Sequence, residues 1–115
     1  MTSDIIERVK RHRDALGRKV IEVPEWKDDE GEPTVIYCKP ITIFEMQRWY
    51  KGISSDDISV LIDLIVTKAE DEDEKKIFKL DDKSKLLRTG EFSVVSRIAG
   101  EMMEGSDEVE EIEKN

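Results

Sequence analysis

The stretch TVIYCKPITIFEMQRWYKG, residues 34–52, changes character at its middle. Before Pro40 the β-branched and aromatic residues Thr34, Val35, Ile36 and Tyr37 suit a strand. After it, Thr42 and Glu45 form the capping box TIFE, whose hydroxyl and carboxylate satisfy N–H groups that a first helical turn leaves free. Pro40 therefore ends a strand and Thr42 starts a helix. Gly52 reads as the stop of that helix.

Upstream, KVIEVPEW (19–26) is a second β-rich run, and KDDEGEP (27–33) joins it to the first through the turn formers Gly31 and Pro33. The pattern predicts a β-hairpin at about 20–40. Pro24 and Pro40 cannot donate to a ladder, so each is expected at a strand end or on an edge. A lone two-stranded hairpin is marginal and must lean on helices, with Trp26 as a contact. Further back, Asp4 and Glu7 make a capping-box variant before a helix at about 4–16. Ile5, Val9, His12 and Leu16 fall on one of its faces, and Gly17 supplies the stop.

Downstream, SSDD caps a helix over about 56–70 that carries Ile58, Leu61, Ile62, Ile65 and Ala69 at helical spacing. Val60, Leu64 and Val66 widen the stripe, which implies burial on more than one side and makes this the central helix. EDEDEKK (70–76) reads as an exposed loop, and Ile77, Phe78 and Leu80 as apolar anchors after it. Asp81 or Asp82 caps a short helix ending at Gly90. The last clear helix, EFSVVSRIAGEMMEG (91–105), places Phe92, Val95, Ala99 and Met102 in register, and Gly105 would stop it. The tail SDEVEEIEKN has the composition of either a short helix capped by Ser106 or a disordered segment. The expected fold class is mainly α (α+β): a small helical domain over 1–105, with an N-terminal β-hairpin packed on four to five helices, followed by an acidic tail at 106–115.

Bulk properties narrow the function. A chain of 115 residues fits one domain and can bury a core without staples. The lone Cys38 is the pattern of a reducing compartment. MTSDIIERVKRHRD puts charges where a signal peptide needs an apolar core, and ISVLIDLIV is too short to span a bilayer. A soluble, intracellular protein with no membrane partner is expected. Charged residues make up 41% of the chain and the net charge is −9, which disfavours nucleic acid as a partner. The basic stretch RVKRHRDALGRK (8–19) could meet an acidic partner or the acidic tail of a sister chain, but a solvated helix face is the simpler reading.

A search for chemistry finds little. His12 has no second ligand at metal spacing, so a structural or surface histidine is favoured over a metal site. DEDEKKIFKLDD (71–82) lacks the glycine of a calcium loop at its sixth position, where Lys76 stands, and the glutamate at its twelfth, where Asp82 stands. Asp63 is the one carboxylate inside an apolar run, and the helical period turns it toward a flank. There is no phosphate loop. No enzyme activity, cofactor or metal is expected. What remains is a set of apolar and aromatic candidates for partner binding: Trp26, Trp49, Tyr50, Met102 and Met103. Core positions are an equal reading for Trp26 and Met102. Trp49 and Tyr50 are about 100° apart on a helix, so at least one must lie near a boundary.

The order of elements resembles the tail assembly chaperones of long-tailed bacteriophages. VIEVPEW, VIYCKPITIFEMQRW, an acidic loop before IF and DD, and SVVSRIAGEM followed by GSDEVEEIEKN carry the resemblance, from about residue 20 to the end. It implies a non-enzymatic protein of the host bacterial cytoplasm that binds the tape measure protein, keeps it soluble and helps recruit tail tube protein. It also implies a longer, frameshifted form, with Glu113–Asn115 as the candidate slippage site. An apolar groove for the client and a charged rim for solubility suit that role, and weak self-association is compatible with it. Two other classes compete: a tail connector or terminator subunit, which would form a ring, and an acidic inhibitor or nucleic-acid mimic, which would line up carboxylates on one face.

Overall fold

The computed structural model describes residues 4–54 and 57–104. Helix α1 (Ile5–Leu16) begins where the Asp4 carboxylate accepts the Glu7 backbone N–H at 2.9 Å. It ends at Gly17, whose φ of 69° is a left-handed conformation that favours glycine. None of its residues is buried, and the Arg13 guanidinium, which donates to the Pro40 carbonyl at 3.2 Å, ties it to the body.

Strands β1 (Lys19–Lys27) and β2 (Pro33–Cys38) form the expected antiparallel hairpin, with Lys19 opposite Cys38, Ile21 opposite Ile36 and Val23 opposite Thr34. Asp28 shapes the turn by accepting the Glu30 and Glu32 N–H groups. Because strand side chains alternate, Ile21, Val23, Ile36 and Cys38 all face inward and are buried. Pro24 meets the expectation of an edge, since both strands of a two-stranded sheet are edge strands. It lies inside β1, in the irregular stretch between Val23 and Lys27 where the register shifts, so its missing N–H breaks no regular ladder.

Helix α2 (Ile43–Ser54) opens with the full capping box: the Thr42 N–H donates to Glu45 Oε1 at 3.0 Å, and the Glu45 N–H donates to Thr42 Oγ1 at 3.1 Å. Gly52 is not its stop, because the helix continues through it. The glycine serves packing instead, since a Cβ there would lie 2.1 Å from Val60 Cγ2 on the next helix.

That helix, α3 (Ile58–Lys68), is capped by Asp57 and buries Ile62, Leu64, Ile65 and Val66. It packs against α2, against α4 (Asp82–Thr89) and against α5 (Phe92–Met103), which makes it the central element as its wide apolar stripe implies. Helix α5 adds Val94, Val95, Ile98, Ala99 and Met102 to the same core and lies against β1. Glu25 and Arg97 fasten that contact with a two-pronged ion pair at 2.6 and 3.0 Å.

The acidic stretch 70–76 is only partly the exposed loop expected. Glu70 is 4% exposed, and its backbone exchanges two 2.8 Å hydrogen bonds with Tyr37, extending the hairpin edge by one residue. Its carboxylate faces Arg18, Lys39 and Lys76. Cations from three segments thus compensate a buried charge that composition alone assigns to solvent. The described residues form a small α+β domain of five helices and an N-terminal hairpin, as the sequence pattern predicts.

Candidate functional site

The described surface carries an open apolar groove between α3 and α5. Ile58 and Leu61 form one wall, Phe92 and Met103 stand toward the ends of the other, and Ser96, Ala99 and Gly100 line it between them; Asp57 stands at its margin. The groove has a volume of about 380 Å³. It arises from helical phase. Phe92, Ser96, Gly100 and Met103 recur three or four residues apart along one flank of α5, while Val95, Ile98 and Met102 point to the core. From Phe92 to Met103 the groove follows about 16 Å of helix, close to three turns.

Its lining departs from an ordinary helix contact in two ways. Phe92 is 60% exposed although it opens the helix's apolar register, and Ile58 is also exposed. At Gly100 an added Cβ would meet nothing within 4 Å, so the middle of the groove is open space rather than a close approach of backbones. Two apolar walls, small residues between them and few polar groups can hold the apolar face of a helix but offer no chemistry for bond breaking. Among the described residues there is no cluster of three or more histidine, cysteine or acidic side chains that could hold a metal ion.

Behind the groove, α3 is held by a polar tie. Asp63 accepts the Trp49 indole N–H at 2.7 Å, pairs with Arg48 at 2.9 Å and meets the Lys83 ammonium, so one carboxylate links α2, α3 and α4. Burial works against its charge, but Lys83, Trp49 and Arg48 together outweigh burial and hold the carboxyl below its ordinary range. Glu45 is held the same way. Burial opposes its charge, and the Thr42 N–H and the Lys68 ammonium, at 3.0 Å, overcome it. Burial pushes the Cys38 thiol up, as expected for an inert core cysteine.

The five residues selected from sequence do not converge. Trp49 is 1% exposed, so of the adjacent pair it is the core member, and Met102 is also buried, the core reading that its sequence equally allowed. Trp49 faces α3, where Asp63 satisfies its N–H, and Met102 lies one helical step inward of Met103. Tyr50, one step round from Trp49, is exposed. Met103 is half-buried and lines the groove. Trp26 is half-buried, packed against the core and edge-on to Phe78 at 6.4 Å, while its neighbour Glu25 ties the same end of the hairpin to α5 through Arg97, so the hairpin leans on a helix as expected. Reading the sequence missed Ile58, Phe92 and Gly100 as groove residues. The signal was Phe92, Ser96 and Gly100 at four-residue spacing, a flank that its neighbours do not fill.

Neither a protein family profile nor any curated protein matches the chain. Among solved structures it is similar to the tail assembly chaperone of bacteriophage HK97, with a TM-score of 0.53 and 18% sequence identity over 88% of this chain and 95% of that one. At such low identity the likeness is one of fold, and it runs through nearly the whole of both chains: the protein shares the fold of the HK97 tail assembly chaperone.

Proposed function

We propose that this protein is a phage tail assembly chaperone that binds the tape measure protein through the groove between α3 and α5 and keeps it soluble until tail tube protein is recruited. The groove carries the reading: an exposed phenylalanine and isoleucine flank a three-turn trough with an open floor at Gly100. A long helical client that exposes apolar stripes needs such a trough, and a client turn inserted there buries both partners' apolar area at about 25 cal/mol per Å². The net charge of −9 keeps a loaded complex dispersed by repulsion. The fold shared with the HK97 protein supports the same reading.

The nucleic-acid mimic is less well supported. Glu25, Glu45, Asp63 and Glu70 are engaged by Arg97, Lys68, Lys83 and Lys39, so these carboxylates are neutralised within the molecule rather than arrayed for a basic groove.

Co-expression with the tape measure protein encoded in the same genome tests the proposal. The expected result is tape measure protein in the soluble fraction only when this chain is present. Equal solubility with and without it contradicts the proposal.

A further inference from the structure

Helix α1 presents an apolar face that no described residue covers. Ile5, Ile6, Val9 and Leu16 are each more than half exposed, in a helix that also carries Arg8, Lys10, Arg11 and Arg13 against only Glu7 and Asp14. A positive, apolar helix on a chain of net charge −9 is selective for a negative, apolar counterpart. The chain carries one. Residues 105–115, GSDEVEEIEKN, hold five carboxylates against one lysine, with Val109 and Ile112 three residues apart.

The fold delivers that segment to the right place. The Lys19 ammonium donates to the carbonyls of Glu101 and Glu104, so α5 ends against the first residue of β1, three positions beyond Leu16. From Glu104, eleven residues reach up to about 36 Å, while α1 is only about 18 Å long. A tether this short gives the segment an effective concentration in the millimolar range, which favours it over a second copy in dilute solution.

We propose that residues 105–115 dock on the apolar face of α1 within the same chain, with Val109 and Ile112 against Ile6 and Val9 and the carboxylates against Arg8 and Lys10, which flank that face. Docking covers a helix none of whose residues is buried. It leaves the groove between α3 and α5 free.

Amide hydrogen exchange on the full chain tests this, with Val109→Asp/Ile112→Asp and Glu110→Lys/Glu111→Lys compared with the unsubstituted protein and the core amides of α3 as internal reference. The α1 amides are expected to exchange about tenfold faster or more in both variants, with α3 unchanged. Equal α1 exchange in all three proteins overturns the proposal. A second measurement fixes the occupant: with Cys38→Ser, cysteines introduced at Val9 and Ile112 should form a disulfide within the monomer under mild oxidation. A disulfide-linked dimer, which assigns the face to a second copy, or no disulfide at all, overturns docking within the chain.

Discussion

The indole N–H of Trp49 donates to the Asp63 carboxylate at 2.7 Å, so the bulkiest side chain of α2 and the one carboxylate in the apolar run of α3 account for each other. A buried tryptophan needs a partner for its N–H, and a half-buried carboxylate needs donors. Arg48 and Lys83 complete the set, which makes Asp63 the polar hinge pin behind the groove.

Asp63→Asn should therefore lower unfolding free energy by about 2 kcal/mol at neutral pH, the range for hydrogen bonds to a charged group. The pH dependence follows from the depressed carboxyl. Its stabilisation is complete above the unfolded aspartate value of about 3.9 and disappears as pH falls through the lower folded value. Urea unfolding from pH 7 down to pH 2 should show the acid loss of stability reduced in Asp63→Asn. An identical acid limb in both proteins would contradict this role.

Trp49 and Tyr50 should behave oppositely although they are neighbours. Trp49→Ala empties a core site and should cost about 3–5 kcal/mol, whereas Tyr50→Ala on the exposed side should cost clearly less, about 1 kcal/mol. Thermal unfolding of both variants distinguishes a core tryptophan from a surface one.

Lys68 is buried and its ammonium is held by both oxygens of Glu45. Glu45→Gln keeps the capping geometry of α2 but strands the ammonium, with an expected loss of about 3 kcal/mol. Lys68→Met removes the buried charge and leaves a more exposed carboxylate, so it should cost less. Chemical denaturation of the pair gives the order directly.

Two glycines in helices should respond with opposite signs. Gly52→Ala forces a methyl group onto Val60 and should cost about 2 kcal/mol despite the better helix propensity of alanine. Gly100→Ala meets open space and should stabilise by up to about 1 kcal/mol. Melting temperatures that move the same way for both would contradict the packing described for α2 and α3.

What was legible in the sequence was mostly local. The box of Thr42 with Glu45 acts across three residues and appears as read, the Asp4 half of the first box caps α1, and the wide stripe of α3 announced a central helix. Distant partners were not legible. Gly52 looks like a stop until Val60 packs over it, Glu70 looks like loop until Tyr37 pairs with it, and Asp63 looks idle until Trp49 reaches it. The phase of α2 was misleading: Ile43, Met46 or Gln47, and Tyr50 line one side of the helix by spacing, yet Ile43 and Tyr50 are exposed and Trp49 is the buried residue. The groove escaped notice because it is a gap between two helices. Only their crossing leaves the Phe92 flank unfilled.

The most direct test of the groove's role is co-purification of tape measure protein with the Gly100→Leu variant, using Gly100→Ala as control. An added Cβ has room at that position, so leucine should fill the trough without unfolding the domain. The expected result is retained capture by Gly100→Ala and lost capture by Gly100→Leu, with neither melting temperature below that of the unsubstituted protein. Full capture by a folded Gly100→Leu protein would show that the client binds elsewhere.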